Sequence, residues 1–467
     1  MDMEGRRFKR PMFTIRIPNN FIPERTYSID MLFSEFLGLS YRIEINGRTR
    51  NYEIILENGN SLLVKDGFFI KFRDGAGYLD TKGIPLKTAF SGNLFAPLKD
   101  IPVIFGTDEL VAGRDRIICG IDIFASAFFM LTRWEEFANK SRDSHNRFPA
   151  CESLAYKQDF LGRAVVNEYV EMLWNMLRHL KCRQPRKEKT FRTFATHDVD
   201  APYVNAMKSP LAAIKQAGGD LIKRNDPKAS FKNFRSWLKT ANGHIGQDPY
   251  NTFDHILDVD EKHGLQGTFL FISDCRRPEF DGNYSIGHKF VRKLIGNIHK
   301  RGHNIGLHSS YGSFDDPHQM KRELDILKTV CLEEDVGQKQ WMNRQHFLRW
   351  DTPATSGCLE TAGMDYDSTL SYAGRSGFRC GVCYEYPMFN ILTRKMLHLR
   401  ERPLLVMECT VIDERYMGLG AGLKAYSFIK SVKDTCRRFK GDFVILWHNT
   451  RYIDMRERQL YSLIMEA

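Results

Sequence analysis

Seven short apolar runs, spaced through residues 190–467 and alternating with helical patterns, constrain the fold of this chain more than any other feature. They are FRTFATHDVD (Phe191–Asp200), GTFLFIS (Gly267–Ser273), GHNIGLHSS (Gly302–Ser310), NRQHFLRW (Asn343–Trp350), MDYDSTL (Met364–Leu370), PLLVMECT (Pro403–Thr410) and DFVILWHN (Asp442–Asn449). Helical stretches such as FVRKLIGNIHK (Phe290–Lys300) stand between them. This alternation predicts parallel strands covered by helices, and seven such strands suit a barrel or a strongly curled sheet.

Ionisable residues crowd the carboxyl ends of these runs, where such folds place their chemistry. The first ends in His197, Asp198 and Asp200 before breaking at Pro202, and alternation puts Asp198 and Asp200 on one face. Neighbouring carboxylates repel, so the pair is easiest to keep with a divalent cation, or with one member protonated as an acid or base. The third run ends in His308. The fourth carries Arg344, His346, Arg349 and Asp351, the fifth Asp365 and Asp367, and the last His448 and Asn449. One such residue reads as a core histidine or a capping turn, whereas five strand ends converging on one rim predict a site.

Residues 1–185 read as a separate α+β unit. Ile29, Leu32, Phe33, Phe36 and Leu37 fall at helical spacing before Gly38, strand-like alternation follows with Asn58-Gly59-Asn60 as a hairpin turn, and two apolar helical stretches close the region. The polar run Lys181–Thr190 reads as a linker, with a boundary near residue 188 and the second unit over 190–467. The segment Ala201–Asp248 reads as a basic, partly helical insertion lying over the mouth of the site.

The +11 net charge admits a nucleic-acid or membrane partner, but much of it is local, in Arg6, Arg7, Lys9 and Arg10 and in Lys181–Arg192. Neither a nucleic-acid motif nor a basic amphipathic helix accompanies it, so a solvated basic face is the reading and no nucleic acid is expected. No apolar run reaches the roughly 20 residues that span a bilayer. The N-terminal stretch lacks the apolar core of a secretory signal, and a cytoplasmic location is expected. Ten scattered cysteines with a single CxxC (Cys380 to Cys383) fit a reduced compartment.

The strand ends resemble the polysaccharide deacetylases of the NodB-homology type. THDVD (Thr196–Asp200) is similar to an Asp-x-Asp form of the first family motif, GHNIGLHSSYG (Gly302–Gly312) to the second, Tyr366-Asp367-Ser368-Thr369 to the fourth and VILWHN (Val444–Asn449) to the fifth. The resemblance implies a distorted (β/α)7-type barrel that hydrolyses N- or O-acetyl groups of a sugar or glycan, a hydrolase acting on carbon–nitrogen, non-peptide bonds. It implies Asp198 as general base, His448 as general acid, and Arg344 or Arg349 as the arginine that orients the base. It further implies Asp200 and His308 as ligands of a divalent metal, zinc first, with cobalt, manganese, nickel or iron as alternatives, and Asp367, Trp350 and Tyr311 facing the substrate. The N-terminal unit resembles an uncharacterised domain that accompanies deacetylase-like domains in some bacterial proteins.

The second motif departs from the family at its last position, where Gly312 replaces a ligating histidine. Hydrolytic sites commonly take three protein ligands plus water. His346 is the first choice for the third. His303 and His197 follow, although strand parity turns each away from its neighbouring ligand. The alternative is a glycan-binding protein whose metal site has decayed and which does not hydrolyse.

Overall fold

The computed structural model describes residues 12–75, 77–222, 227–282 and 284–467. The basic cluster Arg6, Arg7, Lys9 and Arg10 lies outside them.

A six-stranded mixed sheet organises the N-terminal part. Its strands are β1 (Phe13–Ile17), β2 (Tyr41–Ile45), β3 (Tyr52–Ile55), β4 (Ser61–Val64), β7 (Gly106–Ala112) and β8 (Arg116–Ile121), in the order β2-β1-β3-β4-β8-β7; β5 (Ala89–Ser91) and β6 (Ile101–Val103) pair separately. Alternation decides which face of β1 is buried: Phe13, Ile15 and Ile17 point inward. The β3–β4 hairpin turns at Asn58–Asn60, where Gly59 takes a left-handed conformation and the Asn58 side chain accepts from Asn60 N. The amphipathic stretch winds as an α-helix over Ile22–Ile29 and continues as a π-helix over Asp30–Phe36. Ile29, Leu32, Phe33, Phe36 and Leu37 are all fully buried, as their spacing predicts.

Nine strands form the second sheet: β9 (Arg192–Val199), β10 (Thr268–Phe271), β11 (Asn304–Ser309), β12 (Met342–Gln345), β13 (Tyr366–Asp367), β14 (Tyr386–Asn390), β15 (Lys395–Glu401), β16 (Val406–Met407) and β17 (Asp442–Leu446). Their order is β14-β15-β13-β12-β11-β10-β9-β17-β16, every pairing parallel except β14–β15. All seven apolar runs enter this sheet. It is mixed α/β and open rather than a closed seven-stranded ring, because its end strands β14 and β16 pair only inward. Its curl is visible from one contact. Arg344 on β12 reaches Asp198 on β9 at 2.9 Å across β10 and β11, a span of roughly 14 Å if the sheet were flat.

The β14–β15 hairpin has no counterpart among the seven runs. Its edge strand carries Pro387, which an edge tolerates, and the N-terminal part covers that edge. Tyr27 donates to the Pro387 carbonyl at 2.9 Å, Phe389 packs on Phe128, and Arg394 is ion-paired with Glu24. The run Lys181–Thr190 is tied down rather than a free tether: the Gln184 amide exchanges two hydrogen bonds with the Ser40 backbone, and Lys187 N donates to Leu37 O. A single hydrophobic cluster contains residues from both sheets.

The insertion after β9 forms helices Pro210–Ile222 and Pro227–Ala241, and among the described residues none from 201–248 lines the wall of the site cavity. The Asp248 carboxylate gathers Val204 N, Asn205 N and Ala206 N, which folds the segment's ends back on each other. Among the described residues no helix is long and apolar enough to cross a membrane.

Candidate active site

The carboxyl ends of β9, β11, β12, β16 and β17 surround a cavity of about 190 Å³. Asp198, Asp200, His308, His346 and His448 all line it. Strand parity explains who is absent. His197 points to the opposite face of β9, where it meets the Trp447 carbonyl and Asp260, and His303 accepts from Gly267 N below the strand ends.

Asp200, His308 and His346 offer donor atoms that all lie within 4.8 Å of one another. The partners of each imidazole fix its tautomer. His308 Nδ1 sits 2.9 Å from the Arg344 carbonyl oxygen and His346 Nδ1 3.1 Å from Asp281 Oδ1; both partners accept, so each Nδ1 carries a proton. In the neutral rings the two Nε2 atoms then face Asp200 Oδ1 with lone pairs, at 3.2 and 3.7 Å, and that oxygen is buried without a well-formed hydrogen bond. Electron pairs converging this way repel unless a cation or a proton lies among them. The Asp281–His346 contact is also the carboxylate–imidazole arrangement that orients metal-ligating histidines. The residues fit a divalent metal. Burial pushes the Asp200 carboxyl pKa up, but His346, His308 and His448 in their protonated forms outweigh that and hold it far below the usual carboxylate range.

A second group, Glu408, Cys409 and His448, also clusters. It fits a metal less well: burial, then the Glu408 and Asp413 charges, drive the Cys409 thiol well above its ordinary pKa, whereas a ligand must be a thiolate. Glu408 is engaged already, its Oε1 lying against His448 Nδ1 and accepting from His448 N at 3.2 Å. Burial lowers the His448 pKa, but Glu408, with Asp200 and Asp198 beyond it, pushes it up to about 10.

Arg344 and Arg349 separate clearly. Arg344 donates to Asp198 Oδ1 at 2.9 Å and to Thr196 Oγ1, both side chains of the pair being almost wholly buried. Arg349 lies elsewhere: it donates to the His145 and Tyr311 carbonyls and stacks over Tyr311 and Phe314. None of the three expected substrate-facing residues lines the cavity. Asp367 is buried against Asn343 and Thr369, the Trp350 indole donates to Thr352, and Tyr311 stacks on Phe280 with its hydroxyl at His145.

One wall comes from the N-terminal part. His145 and Arg147 line the cavity beside Phe347 and Leu348, which occupy left-handed backbone at φ 61° and 54°. Such positions cost on the order of 1–3 kcal/mol each and persist only when their surroundings hold them. Arg147 Nη1 donates to the Phe347 carbonyl at 2.8 Å, and the His145 ring packs 4.8 Å from Phe347. Sequence reasoning missed Glu408, Asp281, His145 and Arg147. Glu408 lies in the last three residues of one of the seven runs and was legible in principle, but the other three lie outside the seven runs.

Residues 13–181 match a family of unknown function, DUF7033. No curated protein matches the chain. Among solved structures, the chain is similar to a proposed polysaccharide deacetylase from Mycobacterium smegmatis, at 17% identity and a TM-score of 0.37 over 60% of this chain and 84% of that one. It is also similar to Puue allantoinase, at 10% identity and a TM-score of 0.34 over 59% of this chain and 83% of that one.

Proposed function

We propose that this protein is a metal-dependent hydrolase that removes an N- or O-linked acetyl group from a sugar or glycan precursor. On this reading residues 190–467 carry the chemistry and residues 1–185 close the site. The observation that supports it is three convergent donor atoms, on Asp200, His308 and His346, flanked by two proton-handling pairs, Asp198–Arg344 and His448–Glu408.

Asp200, His308 and His346 would hold the cation, and a mixed carboxylate–imidazole set suits zinc, cobalt, manganese, nickel or iron. When bound, such a cation supplies Lewis acidity toward an acyl carbonyl and a water. Asp198 takes the proton of the attacking water while Arg344, 2.9 Å from its Oδ1, holds the carboxylate in place. His448, pushed up to about 10, is protonated at neutral pH and delivers its proton to the departing amine or alkoxide. Glu408 holds His448 Nδ1, which leaves Nε2 facing the cavity, 3.7 Å from Asp200 Oδ2.

Elemental analysis of purified protein should find about one divalent metal per chain, and acetate should be released from acetylated amino sugars. Alanine at Asp198 or His448 should abolish release. Acetate release that survives Asp198→Ala would overturn the reading.

A further inference from the structure

The site cavity adjoins a second cleft of about 290 Å³, and the two share Arg147, Leu348, Ala373 and Tyr416 as a common wall. The first cavity is smaller than the roughly 300–1,000 Å³ of sites that enclose a whole small ligand, so a sugar whose acetyl group enters it must extend further. The shared wall leads toward the second cleft.

Charge along this path is uneven. Arg415 lines the first cavity, Arg375 the second, and Arg147 stands between them. Arg375 is exposed and lines the cleft without a carboxylate partner among the described residues. Arg415 is 70% exposed, with the Asp413 carboxylate 3.8 Å away, a surface pair of little strength. Asp143 is the one carboxylate lining the second cleft among the described residues, and it is already engaged by the Arg147 side chain and by two backbone N–H groups. Guanidinium groups suit phosphate and carboxylate because they bind two oxygens at once. Tyr416, with the Arg415 guanidinium 4.8 Å over its ring, and the half-exposed Tyr156 line the cleft beside them.

We propose that this second cleft is a subsite for an anionic group, a phosphate or a carboxylate, borne by the acetylated sugar. The proposal rests on the hydrolase reading and names its substrate class. The test is calorimetric binding of three probes: neutral N-acetylglucosamine, N-acetylglucosamine 6-phosphate and N-acetylmuramic acid, with acetate release measured alongside. At least one anionic sugar should bind about tenfold or more tightly than the neutral one, with the phosphate and carboxylate arms telling which anion is preferred. Arg375→Glu should collapse that ratio toward one, Arg375→Lys should keep part of it, and melting temperatures should show both variants folded. Equal binding of neutral and anionic sugars, no binding of either anionic sugar, or a ratio unaltered in Arg375→Glu would each overturn the subsite. Anion preference without acetate release would retain the subsite and discard the reaction, and acetate release without anion preference would do the reverse.

Discussion

At the scale of the residue, the site depends on groups that hold other groups. Asp281 touches no lone pair of the proposed ligand set, yet it fixes the His346 tautomer through Nδ1. Asp281→Asn should weaken divalent-metal affinity by roughly 10–100-fold, measured by competition with a chromogenic chelator, while the fold persists. Glu408→Gln removes the charge against His448 Nδ1. It should lower kcat by roughly a hundredfold or more with little change in KM or metal content, since the acid is misplaced rather than the substrate. Arg344→Met leaves Asp198 buried without its partner and should cost about 3–5 kcal/mol in chemical denaturation. The aspartates and histidines that line the cavity were legible in the sequence because they stand at or just past strand ends, where period-2 alternation decides which residues share a face. The choice of Arg344 over Arg349 was not, because the chain leaves the β-region at Phe347 and no sequence period survives such a turn.

At the scale of the element, the turn after β12 matters most. It carries His346 and then two left-handed residues pinned by Arg147 from another part of the chain. Arg147→Ala should let that turn relax, lowering kcat/KM by roughly tenfold to a hundredfold if the strain released is about 1–3 kcal/mol. Metal affinity should fall with it, because His346 moves with the turn. A variant with unchanged kinetics and metal affinity would show that the turn holds itself. The short strands explain what the runs could not reveal. MDYDSTL pairs only at Tyr366–Asp367 and PLLVMECT only at Val406–Met407, where a helix then begins, whereas the β14–β15 hairpin goes unseen because Pro387 and polar Lys395 blur its strand pattern.

At the scale of the whole molecule, the N-terminal and C-terminal parts are joined by buried charge as well as apolar contact. Glu136 binds Arg379 at 2.5 Å and Arg133 at 2.9 Å, all three almost completely buried. Glu136→Gln should cost about 3–5 kcal/mol, because it leaves buried guanidinium charge uncompensated. With one hydrophobic cluster spanning both sheets, calorimetry should show one cooperative unfolding transition rather than two. Two resolved transitions would show that the parts fold independently. The sequence by itself determined the parallel, helix-covered sheet and the acidic and imidazole groups at its rim, because strand and helix periods are local properties of the chain. Only the tertiary structure decided that the sheet stays open and that His145 and Arg147 wall the cavity. Those outcomes depend on curl and on contacts between residues far apart in the chain, which no local period encodes.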